Sequence, residues 1–165
     1  MIPIDRTEIE AWGKRHEAKG EFPFLISKLI FETTPRSTFF EIPSGSAVFI
    51  GGWDGIVQCK EETTFVPENI SLWEFKTNGG KAQAESDYKK RTEDSLGFDK
   101  SKATFIFVTT DCWTTKEEWV KEKRDQNEWA DVRVYDSTNL QNWLNITDIT
   151  SKWFIGTILG RSYES

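Results

Sequence analysis

The stretch ATFIFVTT at 103–110 is apolar or β-branched at almost every position, with none of the polar alternation of a strand wetted on one side. Such a run is the pattern of a central strand covered on both faces. It is followed by a polar helical pattern, KEEWVKEKRDQNEW at 116–129, with Thr114 or Thr115 as cap, and then by the short strand VRVY at 132–135. Strand, helix and strand in that order demand a crossover connection and parallel pairing. A sheet with helices on both faces is therefore the expected frame.

The remaining segments fit around that unit. Residues 5–19 read as a helix, with Asp5 or Thr7 as N-cap, Ile9, Trp12 and His16 at helical spacing and Gly20 as its stop. After the break at Phe22-Pro23, FLISKLIFET carries Leu25, Ile26, Leu29 and Ile30 on one stripe and ends before Pro35, a second helix. The period then changes: 38–50 is rich in aromatic and β-branched residues, Gly51-Gly52 interrupts it, and IVQCK at 56–60 and ISLWEFK at 70–76 read as an antiparallel pair of strands. Asn78-Gly79-Gly80 opens a polar helix over about 81–96. A helix follows Asp136, and DITSKWFIGTILG reads as helical up to Gly160. The expected fold class is α/β, a mixed central sheet flanked by helices in one domain spanning 1–165.

With 165 residues the chain can bury one substantial core, so a single site is expected. No apolar stretch approaches the length of a membrane span and the first residues do not form a secretory signal, which points to the cytoplasm and to no membrane partner. Cys59 and Cys112 lack metal or redox spacing and are expected to be buried free thiols. His16 is the sole histidine, which leaves little support for a serine–histidine triad or a histidine metal centre. No Gly-rich loop followed by Lys-Ser/Thr is present, so the chain is not itself a nucleotide-binding module. Of the eight tryptophans, Trp119, Trp129, Trp143 and Trp153 are expected to face the core, and Trp53 and Trp73 to buttress the residues beside them.

The chemistry-bearing pattern is Asp54 in GGWDG with Glu74 and Lys76 in LWEFK. Alternate side chains of a strand share a face, so Glu74 and Lys76 project together while Trp73 and Phe75 project oppositely. Glycines around Asp54 let the backbone turn and bring its carboxylate toward Glu74. Two carboxylates and the Phe75 carbonyl suit Mg2+, with Mn2+ as an alternative, because this ion takes oxygen ligands and keeps several waters. Lys76 beside it could act as a base toward water or as an electrostatic helper. The plainer reading is a surface Glu–Lys pair and a turn aspartate capping its own loop. An apolar strand carrying charge inward argues for a compensating ligand. Lys81, Lys89 and Arg91, on the following helix, are candidate phosphate contacts, or else a solvated face. Glu17 and Glu32 could complete a metal shell, although surface ion pairs are the simpler role for both.

In order along the chain, FPFLISKLI, GGWDG, LWEFK, KAQAESDYKKRT, TFIFVTTDCWTTKEEW, VRVYDSTNLQNWL and KWFIGTILG resemble a restriction-endonuclease-like domain of the PD-(D/E)xK type. The resemblance is to the domain at the N-terminus of bacterial antiviral STAND NTPases of the Avs type, and it covers nearly the whole chain. It implies a metal-dependent endonuclease with catalytic Asp54, Glu74 and Lys76, acting on double-stranded DNA with little sequence preference. It also implies fused sensor and NTPase domains and activation by homo-oligomerisation. Members of that group often lack the lysine, so Lys76 favours an active enzyme. The net charge of −6 opposes DNA binding by an isolated domain. Clustering several copies on one duplex would offset it. A catalytically silent recruitment or oligomerisation domain with the same fold is the competing expectation.

Overall fold

The computed structural model describes residues 3–43 and 52–162. Its centre is a five-stranded mixed sheet: β1 (Phe39–Glu41), β2 (Gly55–Cys59), β3 (Asn69–Lys76), β4 (Ala103–Thr109) and β5 (Asp131–Tyr135), in spatial order 1-2-3-4-5. β1, β2 and β3 form an antiparallel meander, whereas β3, β4 and β5 are parallel. β3 is thus where the pairing changes sense. The parallel pairs are reached through α3 (Lys81–Glu93) and α4 (Lys116–Asp125), as the crossover requirement predicts. The antiparallel pairing of the two strands near 56–60 and 70–76 is borne out, and β4 is buried at every position between its neighbours. Of the aromatic run at 38–50, residues 39–41 form β1; 44–50, with Gly51, lie outside the described residues.

Strand alternation sorts the core into two layers. Trp73, Phe75, Ile106 and Val108 point to one face, which α1 (Arg6–Gly13), α2 (Ala18–Thr33), α5 (Ser137–Asn145) and α6 (Ile149–Trp153) cover. Leu72, Phe105, Phe107, Val132 and Val134 point to the other, against α3 and α4 with Tyr88, Trp119 and Val120. Trp53, Trp113 and Trp129 fill this second layer from loops, so Trp129 packs inward as expected but beyond the end of its helix. Trp153 is only partly buried, with the Lys28 ammonium 5.0 Å from its ring centre.

The helix boundaries depart from expectation near the first break. The first helix stops at Gly13 and not at Gly20, and α2 begins at Ala18, taking Gly20 and Pro23 inside it. The break follows Gly13, whose backbone lies so close to Thr110 that a β-carbon there would sit 2.0 Å from the Thr110 hydroxyl. His16 falls in the intervening exposed turn. Asp5 and Glu8 close α1 with a reciprocal capping box. Asp136 caps α5 through the Thr138 and Asn139 N–H groups and also accepts from the Trp113 N–H at 2.9 Å. The last helical segment changes after Trp153 to a wider turn over Phe154–Ile158. Among the described residues, no helix is long and apolar enough to cross a membrane.

Candidate metal and catalytic site

Gly52 adopts a φ of +126°, a conformation that side chains disfavour, and turns the chain into Trp53 and Asp54. β2 then starts at Gly55, which pairs with Trp73, so Asp54 lies beside Glu74 at the next step of the ladder. The Asp54 Oδ2 accepts a 2.8 Å hydrogen bond from the Phe75 N–H, which ties the turn to β3. Glu74 is buried on the α3 side of the sheet, opposite Phe107, and Lys76 follows on the same face at the C-terminal end of the strand. The same-face placement of Glu74 and Lys76, with Trp73 and Phe75 on the opposite face, is as the sequence predicts. Carboxyl ends of parallel strands, where connections splay apart, are favoured places for ligands in α/β sheets.

Glu74 has two neighbours of opposite effect. Burial and the Asp54 carboxylate, within hydrogen-bonding reach, push its carboxyl up to about 8, against the pull of Arg91. Arg91 donates from Nε to Glu74 Oε1 at 2.5 Å and from Nη2 to the Gly52 carbonyl at 2.5 Å, and its guanidinium stands 5.1 Å from the Trp53 ring centre. Both side chains of the pair are less than a tenth exposed. Arg91 is therefore not a solvated phosphate contact: it is an internal counter-charge for the site. Ala84, Tyr88 and Arg91 recur at helical spacing and form the buried stripe of α3, a stripe with only two apolar markers. Lys81 and Lys89 remain exposed on the same helix, free to meet a polyanion.

Asp87, which the sequence reading passes over, belongs to this cluster. Its Oδ2 lies 3.8 Å from the Lys76 Nζ. Burial raises its carboxyl, with Lys76 pulling it down and Asp54 pushing it up. Three carboxyl groups thus lie near two cations, and a further cation among them would favour the ionised form of each.

The donor set sets limits on any metal. Among the described residues, no three Asp, Glu, His or Cys side chains converge closely enough to hold an ion. A divalent ion would take Asp54 and Glu74 and complete its shell with a backbone carbonyl, for which Phe75 is the adjacent candidate, and water. That oxygen-only set fits Mg2+ or Mn2+, which retain much of their water. Glu32 plays no part in it: its carboxylate accepts from the Asp148, Ile149 and Thr150 N–H groups at 2.8, 3.0 and 2.8 Å and from the Thr150 hydroxyl, capping α6. Burial raises its carboxyl, but these bonds outweigh that and hold it below the usual range. Glu17 is exposed at the start of α2, where its carbonyl accepts from Gly20 and Glu21. Cys59 is buried as expected, but Cys112 is exposed just past the end of β4.

The corner that carries β3 into α3 is pinned to the end of β4. The Asn78 N–H donates to Thr110 Oγ1 at 2.9 Å, and the Thr109 hydroxyl donates to the Gly79 carbonyl. Comparisons of the chain with protein families, with curated proteins and with solved structures found no match.

Proposed function

We propose that this chain is a divalent-metal-dependent deoxyribonuclease domain of the restriction-endonuclease-like type. The observation that carries the reading is the meeting of the Asp54 and Glu74 carboxylates beside Lys76, at the end of the strand where the sheet turns from antiparallel to parallel. The meander, crossover helix and parallel strands agree with the fold the resemblance implies. In this reading Asp54, Glu74 and the Phe75 carbonyl hold Mg2+ or Mn2+. Such an ion, when bound, neutralises charge on the scissile phosphate and acidifies an attacking water. Lys76, with its side chain 43% exposed at the mouth of the site, can reach a water or a phosphate oxygen there. Lys81 and Lys89 offer further cations to the DNA backbone. A net charge of −6 makes a single copy a weak DNA binder, so activity is expected when copies are clustered, as in an oligomeric defence effector with fused sensor and NTPase domains.

The test is cleavage of supercoiled plasmid with Mg2+ or Mn2+, using the chain fused to a tetramerising scaffold. Loss of cutting in Asp54→Ala and Glu74→Ala supports the assignment. Cutting at the parent's rate by either variant would refute it. A smear indicates little sequence preference, and discrete fragments a sequence-specific enzyme.

One observation favours a silent recruitment or oligomerisation domain. Arg91 already supplies Glu74 with a buried positive partner, the role a metal would otherwise take. Calorimetric titration with Mn2+ separates the two: a silent domain gives no heat that Asp54→Ala abolishes.

A further inference from the structure

We propose that Asp87 is a positioning residue that holds the Lys76 ammonium over the Asp54–Glu74 pair; the assignment rests on the nuclease reading above and names a fourth member of its site. The first ground is a matched spacing. β3 presents Glu74 and then Lys76 two residues on, about 7 Å apart along a strand. α3 presents Asp87 and then Arg91 four residues on, about 6 Å apart along a helix. Arg91 meets Glu74, and Asp87 meets Lys76. The helix therefore supplies each strand charge with its opposite, in reverse order.

The two pairs are not equivalent. Arg91 and Glu74 are bonded at 2.5 Å and both are almost wholly buried, a closed contact. Asp87 and Lys76 stand 3.8 Å apart, beyond hydrogen-bonding distance but well inside Coulombic reach. The Asp87 side chain is 14% exposed, yet its Oδ2, the atom facing Lys76, is buried without a hydrogen-bond partner. A shielded carboxylate oxygen with no donor is a costly feature that packing alone does not explain. The other charges acting on Asp87 are Asp54 from the turn before β2 and Arg91 and Lys90 from its own helix. Of the cations, Lys76 alone is on β3, and it ends in the solvent-facing mouth. Asp87 thus restrains a half-exposed ammonium that would otherwise sweep a wide cone, and it leaves the ammonium protons for a water or a phosphate oxygen.

The experiment uses the scaffold-fused chain with Asp87→Asn, which removes the charge and keeps the shape, and Asp87→Glu as the conservative variant. The first readout needs no metal and no cleavage: amine modification of Lys76 by reductive methylation, followed by mass spectrometry with Lys81 as internal reference. Asp87→Asn is expected to raise the Lys76 rate relative to Lys81 at least threefold, with thermal stability equal to or above that of the parent. The second is cleavage: kcat is expected to fall on the order of 10- to 100-fold while Mn2+ affinity by calorimetry is unchanged, and Asp87→Glu is expected to recover part of the rate. Unchanged Lys76 labelling in Asp87→Asn overturns the assignment whatever the activity. A parent that cuts alongside an Asp87→Asn chain that cuts equally well also overturns it, and leaves the nuclease reading standing. A parent that never cuts removes that reading and the positioning role together.

Discussion

Replacing Glu74 by Gln should change how stability depends on pH, and the size of the change follows from the site. In the folded chain, burial and the Asp54 carboxylate push Glu74 from its ordinary 4.5 up to about 8, Arg91 notwithstanding. In the unfolded chain the group is solvated and titrates near its ordinary value. Because the folded value is the higher one, Glu74 contributes fully below about pH 4.5, where both states carry the proton. That contribution is lost as pH rises through about 8, where the folded chain must bury the charge. A tenfold step in protonation corresponds to about 1.4 kcal/mol. The parent should therefore lose roughly 3 kcal/mol relative to Glu74→Gln between acidic solution and about pH 7, and roughly 5 kcal/mol by about pH 9. Urea unfolding followed by tryptophan fluorescence at a series of pH values measures both curves. The changed pairing of Arg91 offsets the two vertically but does not alter their divergence. Curves that run parallel from about pH 4 to pH 9 would refute the account of Glu74 as a buried group held mostly neutral without a metal.

Two further outcomes are expected. Arg91→Leu removes a hydrogen-bond donor to the buried Glu74, a bond to the Gly52 carbonyl and a guanidinium against Trp53; it should cost about 3 kcal/mol near neutral pH and more by about pH 9, where Glu74 would ionise without its partner, and Glu74→Gln in the same chain should recover that pH-dependent part, a coupling read by a double-mutant cycle in urea. Gly13→Ala places a β-carbon 2.0 Å from Thr110 Oγ1, which accepts from the Asn78 N–H; overpacking and the weakened bond together should cost about 3 kcal/mol, and thermal melts that match the parent would contradict the close approach.

Strand content was readable because it is written as period and composition. The unbroken run of β4 and the alternation in β3 state which residues face which layer, and the placement of Glu74 with Lys76 follows from that alone. Helix ends were less legible. Gly20 and Pro23 are strong local breakers, yet both lie inside α2, while the break follows Gly13, a residue packed against Thr110 far along the chain. Propensity describes neighbours in sequence and cannot register such contacts. The inward turn of Arg91 was hidden for a related reason. α3 is polar nearly throughout, and its buried stripe holds only Ala84 and Tyr88 as apolar markers, so an arginine on that stripe reads as solvated. Asp87 was missed because its significance depends on Lys76 across the interface between helix and sheet. Glu32 was equally unreadable as a cap, since the helix it caps begins more than a hundred residues later.

Every charged group of the candidate site, from Asp54 to Arg91, comes from one unbroken part of the chain: a hairpin followed by a single return helix. The ends that must meet are therefore separated only by short tethers, and loop closure costs little chain entropy. Lengthening the segments at 60–68 or 77–80 works directly against that closure. Lengthening those at 126–130 or 146–148 does not, because β5, α5 and α6 act as cladding around a centre that is topologically complete without them.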